Sequence, residues 1–114
     1  MARTPQEVFA AHEAALVAGD VPRVLEDFTE DAVLVTADGV FEGRTQIGQW
    51  YTAALNALPE VEFTFTSKAF GGDALLLNWT ASSPKGRIND GVDTFVFADG
   101  KIRLQTVSFS VQPA

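Results

Sequence analysis

The chain has 114 residues, a formal net charge of -7, no cysteine and one histidine. A chain of this length forms a single core, so we expect residues 1–114 to be one domain. The acidic balance with scattered lysines and arginines argues against nucleic acid and anionic membranes as partners. Thiolate chemistry and multi-histidine metal sites are excluded by composition, and we expect no metal and no cofactor. No stretch approaches the roughly 18 apolar residues of a membrane span, and no leader is visible. We therefore expect a cytoplasmic protein.

Helical signals fill the amino-terminal part of the chain. Residues 4–7, Thr-Pro-Gln-Glu, form the pattern of a capping box with proline in the first turn, and apolar residues follow at helical spacing as far as Gly19. Asp20 is placed to cap a short second helix. A third helix with a broad aromatic and aliphatic face is predicted between Gly43 and Pro59.

Strand signals dominate the rest of the chain. Residues 32–42 predict a small hairpin before the third helix, and from Val61 onward apolar and polar residues alternate with period 2. Turn residues divide this part into four long antiparallel strands, the last of them over 102–111. Because one face is apolar and the other polar, helices should cover one side only. The sequence thus predicts an α+β fold in which three amino-side helices pack on a curved, mainly antiparallel β-sheet.

Asp93 is an acid on a strand face that otherwise carries phenylalanine, and the turn at Asp99-Gly100 decides what it faces. A two-residue type I′ loop would pair Asp93 with Thr106. A three-residue loop with a bulge would pair Asp93 with Gln105 and turn Phe109 inward. The second register brings more apolar area to the interior, and we predict it.

The order of the elements, together with several short motifs, resembles the nuclear transport factor 2-like superfamily, and in particular its SnoaL-like and ketosteroid isomerase-like members. The motifs are Ala18-Gly19-Asp20, Phe28-Thr29-Glu30-Asp31-Ala32-Val33, Phe41-Glu42-Gly43-Arg44, Val92-Asp93-Thr94-Phe95 and Asp99-Gly100-Lys101-Ile102. The resemblance spans nearly the whole chain and implies a cone-shaped fold. It implies no single reaction, because the superfamily includes isomerases, cyclases, dehydratases, hydrolases and non-catalytic binders.

The resemblance to ketosteroid isomerases also implies roles for individual residues. His12 falls where those enzymes place a tyrosine that donates to the steroid oxyanion, and Asp93 falls on their second donor, a protonated aspartic acid. Trp50 and Tyr51 match an aromatic pair whose tyrosine supports the first donor. Thr36 occupies the position of the general base, and its hydroxyl cannot take a proton from carbon at neutral pH.

Each candidate has a structural alternative. An acid on an apolar face has a raised pKa unless a cation meets it, and Asp93 could instead pair with Arg103 or Arg87 at a sheet edge. His12 lies four residues from both Val8 and Leu16, so it could be an ordinary core histidine. Asp38, in the turn after Thr36, could replace the missing base only if its loop folds inward.

We predict a small-molecule enzyme, an isomerase or cyclase-type lyase, that acts on a hydrophobic polyketide-like or steroid-like carbonyl compound by acid/base chemistry. Asp93 and His12 are the predicted catalytic pair. The predicted ligand contacts are Thr36, Trp50, Tyr51, Trp79, Phe95, Gln105 and Phe109. The alternative is a non-catalytic domain of the same fold that binds a hydrophobic ligand or a protein, which the loss of a base at Thr36 and of a hydroxyl at Phe28 favours. The polar but weakly charged outer strand face predicts a homodimer.

Overall fold

The structure is a computed structural model that describes residues 3–114. Its helices are α1 (Pro5–Val17), α2 (Val21–Glu26) and α3 (Gly43–Ala57). Its strands are β1 (Phe28–Thr36), β2 (Gly39–Glu42), β3 (Glu62–Gly71), β4 (Ala74–Ser83), β5 (Gly86–Ala98), β6 (Lys101–Ser108) and β7 (Gln112–Pro113). The predicted α+β class, with three amino-side helices on a mainly antiparallel sheet, is confirmed. Within residues 3–114, no helix is long and apolar enough to cross a membrane.

All strands belong to one sheet in the order β2-β1-β6-β5-β4-β3, with β7 pairing with β5. Neighbouring strands are antiparallel except β1 and β6, which run parallel. The helices pack on one face, and the core lies between them and the inward side chains of the sheet. Within the described residues no helix packs on the opposite face, as the alternation of apolar and polar residues predicts.

Local capping explains where the first two helices begin. Thr4 Oγ1 accepts a hydrogen bond from the Glu7 backbone N–H at 3.2 Å, and the Glu7 carboxylate accepts one from the Thr4 N–H at 2.8 Å. Gly19 then adopts a φ of 69° between the two helices, a conformation that glycine reaches without strain. Asp20 caps α2 by accepting from the Arg23 N–H at 3.2 Å. The predicted capping box and cap are thus both present.

A buried carboxylate joins the end of α2 to the sheet. Asp27 is 1 % exposed and accepts from Arg3 at 3.0 Å and from Arg23 at 3.4 Å. Its backbone oxygen accepts from the Ile102 N–H at 2.7 Å, and Arg3 also donates to the Gly100 carbonyl at 3.0 Å. Residues before α1 are therefore tied to the turn between β5 and β6.

The turn between β5 and β6 differs from the prediction. Asp99 and Gly100 have φ values of 55° and 72°, and Ala98 pairs with Lys101, which makes the loop a two-residue type I′ turn. Phe97 pairs with Ile102, but the preceding residue Val96 pairs with Leu104. Arg103 is therefore an extra residue in β6. Asp93 consequently lies opposite Val107, so the predicted pairing with Gln105 is wrong.

The bulge nevertheless leaves the predicted faces unchanged. A register shift of one residue exchanges the faces of a strand, and the added residue in β6 reverses the exchange that the shorter loop would cause. Gln105 and Val107 are buried, whereas Ser108 is exposed. Arg103 and Arg87 are exposed, and neither is an ion-pair partner of Asp93 within residues 3–114.

We expect Gly100→Ala to lower the free energy of unfolding by about 1–2 kcal/mol, because a Cβ is strained at a left-handed φ. Gly71→Ala is the matched control, since Gly71 lies in β3 without a left-handed φ and a Cβ there meets no atom within 4 Å. Urea unfolding of both variants measures the difference. Equal losses in the two variants would contradict the type I′ turn.

Candidate functional site

An apolar cavity of about 230 Å³ lies between the helices and the inner face of the sheet. Its wall is formed by side chains of α1, α3 and strands β3 to β6, together with residues flanking these strands. The lining residues with polar or charged side chains are His12, Tyr51, Lys85, Asp93 and Gln105, and Trp50 and Trp79 each add an indole ring with one N–H. An apolar pocket with a few convergent polar groups is the usual form of a small-molecule site.

The carboxylate of Asp93 is held by uncharged donors. Trp79 Nε1 donates to Oδ1 at 2.7 Å, and Gln105 Nε2 donates to Oδ2 at 2.8 Å. Tyr51 Oη donates to Gln105 Oε1 at 2.6 Å, which turns the amide N–H₂ toward Asp93. Asp93 is 5 % exposed. The result is a chain of hydrogen bonds that runs from α3 through β6 to a buried acid on β5.

Strand register brings these side chains together. Trp79 lies opposite Gly91, and Gln105 lies opposite Phe95, so each is displaced by two residues from the position opposite Asp93. Such diagonal neighbours on one face of a sheet lie roughly 7–8 Å apart at the backbone, within reach of long and aromatic side chains. Asp93 therefore receives one donor from the strand on either side.

Burial raises the pKa of both Asp93 and Tyr51. It raises the pKa of Asp93 from 3.8 to about 6, and the hydrogen bonds from Trp79 and Gln105 oppose part of this rise. Burial also raises the pKa of Tyr51 well above 10, and the nearby Asp93 charge adds to it. At neutral pH Asp93 is mostly ionised but close to its midpoint, whereas Tyr51 remains a neutral donor.

His12 lies on α1 and is 2 % exposed. Four aromatic rings surround its imidazole at centroid distances of 5.2–6.0 Å, those of Phe9, Phe28, Tyr51 and Phe95. Burial lowers the pKa of His12 from 6.5 to about 4, although the Asp27 charge acts in the opposite direction. The ring is therefore neutral at pH 7. Its Nδ1 atom is buried with no hydrogen-bond partner within the described residues.

The structure places most of the predicted site residues on the cavity wall. They are His12, Trp50, Tyr51, Trp79, Asp93, Phe95, Gln105 and Phe109. The partner of Tyr51 differs from the expectation: its hydroxyl donates to Gln105, and only its ring contacts His12. Gln105 contacts Asp93 through its side chain, although the two residues are not paired in the sheet.

Thr36, one of the predicted ligand contacts, is not among the residues that line the cavity. Its hydroxyl donates to the Gly39 carbonyl at 3.2 Å and accepts from the Asp38 N–H at 3.1 Å. A threonine at the end of a strand readily closes such a local turn, and this turn joins β1 to β2. Asp38 is exposed in the same turn, so it does not supply a base to the cavity.

Part of the cavity wall was not identified from sequence. The carboxyl-terminal half of α3 contributes Ala54, Leu55 and Ala57, and the segment between α3 and β3 contributes Leu58 and Val61. Their spacing predicts an inward face but cannot separate a filled core from a cavity lining. The hydrogen bond from Trp79 to Asp93 was missed as well, because an alternating pattern gives the face of a residue and not its diagonal neighbour.

The family model of the SnoaL-like domain matches residues 9–105. The chain belongs to the SnoaL-like domain family. A search of curated proteins gave no match.

Solved structures with the fold of this SnoaL-like domain include a candidate polyketide cyclase from Sinorhizobium meliloti, with a TM-score of 0.79, 21% identity, and coverage of 89% of this chain and 93% of that one. SalBIII, an epoxide hydrolase/cyclase-like enzyme in pyran ring formation in the polyether salinomycin, has a TM-score of 0.81, 22% identity, and coverage of 96% and 95%. An NTF2-like protein of unknown function from Cytophaga hutchinsonii has a TM-score of 0.80, 14% identity, and coverage of 96% and 93%. These similarities confirm the predicted cone-shaped fold.

We expect Asp93 and His12 to give the folding free energy opposite pH dependences. The pKa of Asp93 is raised to about 6 by folding, so the native protein loses stability as pH rises from about 4 to 6. Asp93→Asn should therefore gain on the order of 2–3 kcal/mol relative to the parent over that interval. The pKa of His12 is lowered to about 4, so the parent loses stability as pH falls from 6.5 to 4, and His12→Phe should gain over that range.

Urea unfolding between pH 4 and 8 measures both differences. Asp31→Asn, at an exposed position of β1, controls for the change in net charge. If the differences in unfolding free energy do not vary with pH, burial does not shift the pKa values of Asp93 and His12.

Proposed function

We propose that this SnoaL-like domain is an enzyme of the isomerase or cyclase type that acts on a small hydrophobic carbonyl compound by acid/base chemistry. The observation that carries the proposal is the Asp93 carboxylate, which faces an apolar cavity and accepts hydrogen bonds from two neutral donors. A pKa of about 6 suits a general base at neutral pH, since the group is mostly ionised yet binds a proton well.

Asp93 acts as the base in this proposal. It removes a proton from the carbon next to the ligand carbonyl, so the C–H bond breaks, the electron pair enters an enolate, and the proton resides on a carboxyl oxygen. The protonated acid then returns the proton to another carbon in an isomerisation. In a cyclisation the enolate carbon attacks a second carbonyl, and the acid protonates the resulting alkoxide.

His12 stabilises the oxygen of the enolate in the same step. Its neutral imidazole can donate an N–H without first losing a proton, which is the form that polarises a carbonyl in other enzymes. Its ring lies 5.2 Å from that of Phe95, which is two residues from Asp93 and on the same strand face. Tyr51 supports Asp93 and not His12, because its hydroxyl donates to Gln105, which in turn donates to Asp93.

Aromatic side chains bind the apolar part of the ligand. The Phe109 ring lies 5.6 Å from that of Trp79 and 6.4 Å from that of Trp50, and all three line the cavity. A polyketide-like or steroid-like carbonyl compound fits this lining. The two neighbours with cyclase descriptions, the candidate polyketide cyclase and SalBIII, support the cyclisation branch of the proposal.

A second candidate function is binding of a hydrophobic ligand without turnover. It is favoured by the predominantly apolar cavity wall and by the absence of a base at Thr36, where the isomerase-like pattern places one. The two candidates share the ligand and differ only in whether Asp93 takes a proton from it.

Deuterium exchange of 2-tetralone, an apolar ketone with acidic C–H bonds, separates the two candidates. We expect the parent protein to accelerate exchange over buffer and Asp93→Asn to lower that rate by about 10²–10⁴-fold, the range that general-base catalysis contributes. NMR follows the exchange. Affinity, measured by fluorescence of Trp50 and Trp79, should change by less than a few-fold in the variant.

Asp31→Asn should leave both exchange and affinity unchanged. Tetralone binding without accelerated exchange in the parent would favour the second candidate. Exchange that persists in Asp93→Asn would remove Asp93 as the base.

We also propose a homodimer formed through the outer face of the sheet. The neutral polar residues predicted for this face are Thr64, Thr66, Asn78, Thr80, Thr106 and Ser108. The same face carries Leu76 and Val92, which are 47% and 38% exposed, and the side chain of Thr94 lies between its paired neighbours Leu76 and Thr106. An uncharged, partly apolar patch of this kind suits contact with a second copy.

We expect the parent to sediment as a dimer at micromolar concentration. Thr94→Lys should produce a monomer, because it brings two like charges together near a two-fold axis. Asp31→Lys is the control for added positive charge. A monomeric parent at these concentrations contradicts the proposed dimer.

A further inference from the structure

We propose that Gly91 is a positioning residue, because the absence of a side chain there allows the Trp79 indole to lie against β5 and donate to Asp93. The inference rests on the proposed function, in which Asp93 is the base, but its geometry is independent of any substrate. Gly91 is buried on β5, opposite Trp79 on β4, and two residues before Asp93.

The indole occupies the space that a side chain at position 91 would need. A Cβ atom built on Gly91 would lie 2.3 Å from both Cδ2 and Cε2 of Trp79 and 2.8 Å from its Nε1. Carbon atoms that are not bonded pack at about 3.5–4.0 Å. Any larger residue at this position must therefore move the ring, and the atom that moves with it is the nitrogen that donates to Asp93.

Backbone conformation does not explain this glycine. Gly91 is not among the glycines with positive φ, and it lies within a strand rather than in a turn. Glycine in a strand interior is unfavourable by roughly 0.5–1 kcal/mol relative to alanine, and it commonly marks the close approach of another group. The close group here is the indole of Trp79.

An irregularity in β5 places Gly91 on the inner face of the sheet, next to Trp79. Trp79 pairs with Gly91 but Ala81 pairs with Ile88, so β5 has one residue more than β4 over this stretch. The bulge allows Ile88 and Gly91, which are three residues apart, to face the same interior. Without it the alternation of the strand would turn one of them outward.

The geometry predicts what a side chain at position 91 does to the base. Displacing the indole breaks the 2.7 Å hydrogen bond to Asp93 Oδ1 and leaves the bond from Gln105 to Oδ2. The lost bond stabilised the ionised form, so its removal raises the pKa of Asp93 further above 6. Less carboxylate is then present at neutral pH.

NMR titration of the Asp93 carboxyl carbon in protein labelled at aspartate tests this inference without a substrate. We expect Gly91→Ala and Trp79→Phe each to raise the midpoint by about 1–2 pH units, the size of one hydrogen bond to a charged group. The double variant Gly91→Ala with Trp79→Phe should have the same midpoint as Trp79→Phe alone, because phenylalanine has no N–H to displace. Gly71→Ala controls for a glycine substitution elsewhere in the sheet.

A midpoint in Gly91→Ala equal to that of the parent overturns the inference, and so do fully additive shifts in the double variant. If Gly91→Ala fails to fold, the double variant Gly91→Ala with Trp79→Val decides. This double variant lacks the ring that clashes with the new Cβ. Its unfolding midpoint should therefore equal that of the single variant Trp79→Val. Failure to recover would show that Gly91 serves another purpose.

The tetralone exchange rate separates this inference from the proposed function. If both hold, the pH at half-maximal exchange rises in Gly91→Ala together with the NMR midpoint. A raised NMR midpoint in Gly91→Ala without catalysed exchange in the parent or any variant supports the positioning role and contradicts the proposed enzymatic function. Catalysed exchange with an unchanged midpoint does the reverse.

Discussion

The site depends on one energetic problem: the Asp93 carboxylate is buried in an apolar cavity and has no ion-pair partner within residues 3–114. Asp93 solves it with one neutral donor for each oxygen, from Trp79 and Gln105. An arginine partner would hold the acid ionised at all working pH values, and no donor at all would leave it protonated. Two neutral donors give the intermediate outcome, a carboxyl group whose pKa lies close to neutrality. The function proposed for the domain needs that intermediate outcome.

Burial also explains why acid and imidazole can share one cavity without forming an ion pair. It raises the pKa of Asp93 and lowers that of His12, so near neutral pH the cavity contains one carboxylate and one uncharged ring. In the proposed mechanism the two groups therefore have distinct roles, one accepting a proton and the other donating a hydrogen bond. Tyr51 connects this chemistry to the fold, since its place on α3 orients the Gln105 amide.

Much of this arrangement follows from the sequence, and the main exception is the register of the strands. Caps such as Thr4, left-handed glycines and strict alternation are local signals, and they predict the elements and their inward faces. Register is not local: the type I′ turn at Asp99-Gly100 and the bulge at Arg103 each shift the pairing by one residue, and their effects on the faces cancel. The faces were therefore predicted correctly while the pairing of Asp93 was not. The expectation that Thr36 contacts the ligand came from the resemblance alone. Its hydroxyl instead forms hydrogen bonds within the turn between β1 and β2, and it does not line the cavity.

The same reasoning explains why the role proposed for Asp93 differs from that of the acid in the ketosteroid isomerase pattern. In the ketosteroid isomerase pattern the aspartic acid at this position stays protonated because its surroundings are apolar, and it donates to an oxyanion while another aspartate acts as base. Here the second aspartate is replaced by Thr36, which lies outside the cavity. The remaining acid accepts from Trp79 and Gln105, both of which stabilise its charged form. A position that serves as a hydrogen-bond donor in one member of a fold can thus serve as a base in another when neighbouring strands supply donors. The space that Gly91 leaves for the indole is what admits the first of them.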